Sequence, residues 1–281
     1  MPQVEDLPLF EVFGLRIEGT VLFVEINSPP LNLIGPAMVR DLVKLIEILD
    51  RGERFRVVVF SSGINDFFIP HVDMTQVQEY RDAAAVLVGE PSLGLLLRRL
   101  SQTKAITIAQ IDGRVRGGGN EFILACDMRF ASREKAAFAQ MEAGFGAVPG
   151  AGGLQHLTRL IGKGRTMEVI ASAADYDADT AERYGWINRA LPASELEPFV
   201  YHLAHRIGKF PHHSLILNKE RINAITLANE DDFRKDSELF GVAVKEPETK
   251  SRVTALMKIG FQQPGPTELN LGQVLGELST E

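Results

Sequence analysis

Short runs of β-branched and aromatic residues alternate with amphipathic stretches over the first two-thirds of the chain, which predicts strands interleaved with helices. Thr20–Ile26 reads as a strand, and Ser28-Pro29-Pro30 ends it because proline has no N–H to give a ladder. From Pro36 to Asp50, Val39, Leu42, Leu45, Ile46 and Leu49 recur at helical spacing behind a proline suited to a first turn. Arg56–Phe60 is nearly all apolar and predicts a strand covered on both faces. A helix over Ser92–Leu100 and a strand over Ala105–Ile111 lead into the glycine-rich run Gly113–Glu121 and the apolar segment Phe122–Cys126. Two short strands, Met128–Ala131 and Ala136–Ala139, precede a second glycine loop, Pro149–Gly153, and a helix through Ile161. Beyond Gly162 the pattern is helical. Asp177 is placed to cap a helix ending near Tyr184-Gly185, and Ser194 with Glu197 has the spacing of a capping box ahead of Phe199, Leu203 and Ile207. From Asp231 onward Phe233, Leu239, Phe240, Val253 and Leu256 sit on helices that predict docking against another subunit. There is no internal repeat and no low-complexity tract.

Composition adds bounds to this picture. With 281 residues, 45% hydrophobic and 24% charged, the chain can bury the core of one large domain with a smaller appendage. A net charge of −7 disfavours nucleic acid or an anionic membrane as a partner, so any polyanionic ligand needs a local basic patch. Cys126 is the single cysteine, which leaves no intrachain disulfide and no thiolate metal cage, and suits a reducing cytoplasm. Met1–Asp6 lacks the features of a secretory or transit leader, and no uncharged apolar run approaches the ~20 residues of a membrane span. A cytoplasmic location is the expectation.

Counting positions excludes the familiar glycine motifs. Gly117-Gly118-Gly119 does not extend to a dinucleotide fingerprint, Leu157 stands where a phosphate loop ending at Gly162-Lys163 would need glycine, and no Gly-x-Ser-x-Gly elbow exists. His202, His205, His212 and His213 lack carboxylates at ligand spacing, read as solvated surface, and leave no expected metal site. The glycine triplet itself has two readings. Its backbone N–H groups at a helix start could hold an oxyanion, or the glycines could only permit tight strand-to-helix packing, with Glu121 favourably placed in a first turn.

Taken together, several ordered motifs resemble the crotonase superfamily, the enoyl-CoA hydratase/isomerase family. They are Pro29-Pro30-Leu31-Asn32, Arg56–Phe60, Asp73, Asp112-Gly113, Gly117–Glu121, Ala125-Cys126-Asp127, Phe138–Glu142 and Pro149–Gly153. The resemblance implies an α/β fold, a spiral of strand-strand-helix repeats over residues 1–195 followed by a helical oligomerisation region over 196–281. It implies a homotrimer or a dimer of trimers, an acyl-CoA thioester as substrate, and no cofactor beyond the coenzyme A that enters with that substrate. It also implies an oxyanion hole from the amides of Val72 and Gly118, and Glu121 and Glu142 as the catalytic acid and base. Asp73, Gly117 and Gly150 belong to the loops that would touch substrate. The reaction implied is addition of water across a 2-enoyl-CoA double bond. Double-bond isomerisation, hydratase-lyase chemistry on an aromatic acyl-CoA, and a non-catalytic CoA-ester binder are the alternatives.

One loop departs from the pattern. Where the family carries a small-Ala-Gly-Ala-Asp run, this chain reads Phe68-Ile69-Pro70-His71-Val72-Asp73. Histidine tolerates positive φ far less well than glycine, which predicts an altered loop path. His71 is either an acid, base or phosphate contact or a plain loop residue. Arg116 is likewise either a contact to a substrate carboxylate or CoA phosphate or a salt-bridged residue, and Arg114, Lys163 and Arg165 are further candidates for a basic patch.

Overall fold

The computed structural model describes residues 7–52 and 54–279, so the leader reading on Met1–Asp6 lies outside the described residues. In chain order, β1 (Phe13–Glu18) and β2 (Val21–Ile26) form an antiparallel pair before α1 (Pro36–Arg51). Three turns of one plan follow. The first is β3 (Val57–Ser62), β4 (Phe67–Ile69), α2 (Val77–Val88) and α3 (Leu93–Gln102); the second is β5 (Ile106–Ile111), β6 (Arg114–Arg116) and α4 (Gly118–Ala125). The third is β7 (Met128–Ser132), β8 (Ala137–Ala139), α5 (Glu142–Phe145) and α6 (Gly153–Ser172). β9 (Tyr176–Asp177), α7 (Ala178–Tyr184) and β10 (Arg189–Leu191) close the spiral. The helices α8 (Ala193–Ile207), α9 (His212–Thr226), α10 (Glu230–Ala243), α11 (Pro247–Lys258), α12 (Pro266–Leu269) and α13 (Leu271–Glu277) complete the chain.

Within each turn one strand joins a six-stranded sheet, in the order β1-β2-β3-β5-β7-β10, and the next joins a four-stranded sheet, β4-β6-β8-β9. The all-apolar reading of β3 explains its central place in the larger sheet. Val58 and Phe60 face the main core, while Val57 and Val59 face Leu196, Val200 and Ala204 of α8. The motif Pro29–Asn32 anchors the join between the sheets. The buried Asn32 side chain accepts from Ser28 N–H at 2.6 Å and donates to the carbonyls of Ile26 and Phe68 and to Ser62 Oγ. A buried amide with its hydrogen bonds satisfied on several segments fixes their relative position.

Several expectations change on contact with the fold. Ser194 does not cap a helix, because α8 begins earlier at Ala193, whose N–H is taken by the Glu134 carboxylate at 2.8 Å. The helix after Gly153 breaks just past Ile161, as the sequence predicts. Gly162 leaves helical geometry (φ 78°, ψ 162°) and the helix resumes to Ser172. Phe233 and Leu256 are fully buried and Phe240 nearly so within this one chain, because α10 folds back onto α3 and α11 onto α5. Of the apolar residues named there, Leu239 stays largely exposed. His205 is half-buried, pairing with Glu18 Oε2 at 3.1 Å and stacking on Tyr201. Among the described residues no helix is long and apolar enough to cross a membrane, and no cluster of His, Cys, Asp or Glu could hold a metal ion.

Candidate active site

The glycine triplet shows why its two readings belong together. Gly117 sits at φ 49°, and α4 begins directly after it. A methyl group on Gly119 would lie 2.0 Å from the Ile69 carbonyl oxygen, and one on Gly118 would lie 2.5 Å from Val72 Cγ1. Only glycine lets the start of α4 press against the loop after β4. That close packing is what carries the Gly118 backbone up to the Val72 amide, which is 3.8 Å from the same Gly118 Cβ position.

The loop after β4 orients its amide by pairing rather than by glycine. Val72 forms a lone parallel bridge to Ile34, in which Ile34 N–H donates to His71 C=O and Asp73 N–H donates to Ile34 C=O, each at 3.0 Å. N–H directions alternate along an extended chain, so the intervening Val72 N–H points away from Ile34. Val72 lines a cavity together with His71, Gly117, Gly118, Glu121 and Glu142. His71 keeps a negative φ, so the extended path needs no glycine there. The expected change of loop path takes the form of this bridge.

His71 is neither exposed nor idle. Nδ1 lies 2.8 Å from the Val72 carbonyl and Nε2 lies 3.0 Å from Glu268 Oε1, with the ring stacked on Phe261 at 4.5 Å. Both nitrogens face oxygen. Burial raises the pKa of Glu268, but the His71 charge and the His71 and Gln262 hydrogen bonds outweigh it and hold the carboxyl below its ordinary value.

The acids stand on opposite sides of the glycine turn. Glu121, in the first turn of α4, has Oε1 held by the N–H groups of Ala151 at 2.7 Å and Gly153 at 2.9 Å. Glu142 opens α5; its Oε2 accepts from Gln140 Nε2 at 2.9 Å, and its Oε1 lies 3.1 Å from where a Cβ on Gly117 would be. Glu121 thus has one oxygen tied to two amide donors, and Glu142 has one tied to Gln140, with a further hydrogen bond from its own backbone N–H. Burial pushes both pKa values up, Glu142 to about 7, and for Glu121 the nearby Glu142 charge pushes further. Like charges in one dry cavity resist joint ionisation, so the pair tends to keep one proton.

Several site residues expected from sequence fall elsewhere. Arg116 is fully buried in a bidentate pair with Asp175 at 2.6 and 2.8 Å, and it also donates to the Glu268 and Leu269 carbonyls. It ties the C-terminal segment to the core and does not line the cavity. Asp73 is also outside the cavity, its carboxylate taken by Thr75 and Gln262. Gly150 does line the cavity, packed against Phe240. Arg114 donates to the Leu269 carbonyl and Arg165 to that of Tyr184, so neither forms a basic patch beside the acids. Tyr80 and Arg81 of α2 and Phe261 of the C-terminal region line the cavity without having been singled out in the sequence, and Phe240, read there as a docking residue, lines it too. Val77, Tyr80, Ala84 and Val88 carry a helical period that could have revealed α2; nothing local points Phe240 or Phe261 toward residues more than a hundred positions earlier.

Known proteins resemble this chain over most of its length. The enoyl-CoA hydratase/isomerase family profile matches residues 16–261. A short-chain-enoyl-CoA hydratase of Clostridium acetobutylicum is 30% identical over 87% of this chain and 94% of its own length. A crotonyl-CoA hydratase of Syntrophomonas wolfei is 26% identical over 89% of this chain and 96% of its own. A solved structure from Streptomyces avermitilis, provisionally named an enoyl-CoA hydratase, superposes with a TM-score of 0.95 at 52% identity over 96% of this chain and 98% of that one.

Proposed function

The chain belongs to the enoyl-CoA hydratase/isomerase family, and on that premise we propose that it adds water across the double bond of a 2-enoyl-CoA thioester. The observation that supports this most is that two buried acids, Glu121 and Glu142, line one cavity with Val72 and Gly118. The thioester carbonyl oxygen sits between the Val72 and Gly118 N–H groups. Negative charge develops on that oxygen as water attacks Cβ, so fixed donors there stabilise the transition state more than the bound substrate. Glu121 takes a proton from the water. Glu142 delivers a proton to Cα, and the two acids exchange roles in the reverse direction. The reaction draws on this chain's own groups and one water, with coenzyme A entering as part of the substrate.

The helical C-terminal region is read as the contact between copies in a trimer or a dimer of trimers. Leu217, Ile222 and Ile225 on α9 support this, being 57%, 59% and 79% exposed in the single chain. The lone buried Cys126 suits a reducing, cytoplasmic location.

The test is hydration of short 2-enoyl-CoA thioesters followed by loss of enoyl absorbance. Glu121→Gln and Glu142→Gln each remove an acid-base group and should lower kcat by about 10²–10⁴-fold. Isomer or aldehyde products in place of the 3-hydroxyacyl thioester, or near-full activity in either variant, would overturn the reading.

A further inference from the structure

Three hydrogen bonds run in series behind Glu142. Trp186 Nε1 donates to Asn120 Oδ1 at 2.9 Å, Asn120 Nδ2 donates to Gln140 Oε1 at 2.6 Å, and Gln140 Nε2 donates to Glu142 Oε2 at 2.9 Å. Trp186, Asn120 and Gln140 are fully buried and Glu142 nearly so, and the links join the turn before β10, the start of α4, the end of β8 and the start of α5. Trp186 is fixed in place by ring contacts to Phe138 at 5.6 Å and Tyr176 at 6.0 Å. Gln140 is pinned as well, since a Cβ on Gly153 would lie 2.8 Å from its amide carbon.

The direction of this series is set at its far end. An indole N–H can donate but never accept, whereas an amide can turn either its oxygen or its nitrogen to a neighbour. Because Trp186 must donate, Asn120 must show it an oxygen and so offers its NH₂ to Gln140. Gln140 in turn must show Asn120 its oxygen and offer its own NH₂ to Glu142. Glu142 Oε2 therefore always meets a donor, and a proton on this acid is directed to Oε1, the oxygen beside Gly117 and the glycine turn.

We propose that Trp186 and Asn120 are positioning residues that, through Gln140, fix which oxygen of Glu142 carries the transferable proton. This rests on the reading of Glu142 as the acid in hydration. Neither residue touches the substrate; both act through the orientation of one amide. Without the indole donor, Asn120 and Gln140 can both turn over. Gln140 then presents its oxygen to Glu142, which draws the proton to Oε2, away from Cα.

The expected effects separate this role from simple packing. Trp186→Phe keeps an aromatic ring and adds no charge. It should lower kcat about 10–100-fold, the range seen when a group orienting a reacting residue is lost. KM should change little, and the alkaline limb of the kcat profile should move to higher pH, since ionised Glu142 loses an obligatory donor. The other groups facing Glu142 are Glu121 on α4, His71 on the loop after β4, and Tyr80 and Arg81 on α2, and this variant leaves all of them in place. Asn120→Asp can accept from Trp186 but has no NH₂ for Gln140, so it should impair kcat more than Asn120→Leu, which only breaks the series. Packing alone would make the leucine variant at least as harmful and would leave the pH limb where it was.

The assay is steady-state hydration of a short 2-enoyl-CoA across pH, on full-length variants whose melting curves are cooperative. An active parent, an inactive Glu142→Gln, and Trp186→Phe with lowered kcat and a displaced alkaline limb support the proposal. The same parent and Glu142→Gln results, with Trp186→Phe and Asn120→Asp keeping the parental kcat and pH limb, overturn the relay alone. A parent without hydration, or a fully active Glu142→Gln, overturns the reading of Glu142 itself. Should Trp186→Phe fail to fold, the order of Asn120→Asp against Asn120→Leu decides.

Discussion

Gly118 and Val72 line one cavity from segments that place opposite demands on sequence. On the Gly117–Gly119 side the backbone comes so close to its neighbours that a single methyl would strike the Ile69 carbonyl or the Val72 side chain. On the Pro70–Val72 side the donor is aimed by the bridge to Ile34, and the side chains are free to vary so long as that bridge stands. A backbone donor thus constrains sequence through the space around it in one place and through its pairing partner in the other. His71 occupies the second kind of site, where it gains a role glycine could not have, joining the loop to Glu268 of the C-terminal segment.

This contrast can be broken at graded strength. The largest effect is expected for Gly119→Ala, which must push either α4 or the loop after β4 away. Losing the alignment of one oxyanion donor should lower hydration by about 10²–10³-fold, measured as kcat/KM, with a drop in melting temperature. Glu268→Leu should come next, because it leaves the buried His71 Nε2 without the carboxylate it pairs with. Stranding a buried hydrogen-bonding group in this way costs about 1–3 kcal/mol, read from denaturant unfolding.

The same pair has a pH signature with a definite sign. The folded-state pKa of Glu268 is depressed, so its contribution to stability is present above the unfolded value and is lost as pH falls through the folded one. In the parent this loss belongs below the ordinary glutamate value of 4.5. Glu268→Gln should remove that part of the acid slope in stability measured against pH. Val72→Ala should have the smallest effect. It leaves the amide and its bridge in place, and kcat should stay within a few-fold of the parent; a large loss would show that the side chain, not the pairing, aims the donor.

How much of this was legible in the sequence follows the same division. The longer strands β2, β3 and β5, the helix α1 and the cap at Asp177 were readable because their signals lie within a few residues. The strands β4 and β6, three residues each, are too short to show a period of two. The glycine triplet and Glu121 stood out because they are adjacent in sequence, whereas Glu142 was named only through the family resemblance. Arg116 misled, since a basic residue beside a glycine turn gives no sign of Asp175, which folds back from 59 positions away. The His71–Glu268 pair spans 197 positions, and the Trp186–Asn120 bond spans 66. Such pairings exist only once the spiral has closed, so no window of sequence could contain them.

The central claim is that two main-chain amides polarise one thioester carbonyl. Isotope-edited infrared difference spectra of a short saturated acyl-CoA, carrying ¹³C at the carbonyl and lacking a double bond to hydrate, report on that bond directly. Bound to the protein, the carbonyl band should move to lower frequency than in water, and Gly119→Ala should return it toward the solution position. A bound ligand whose carbonyl band stays at its solution frequency would contradict the account.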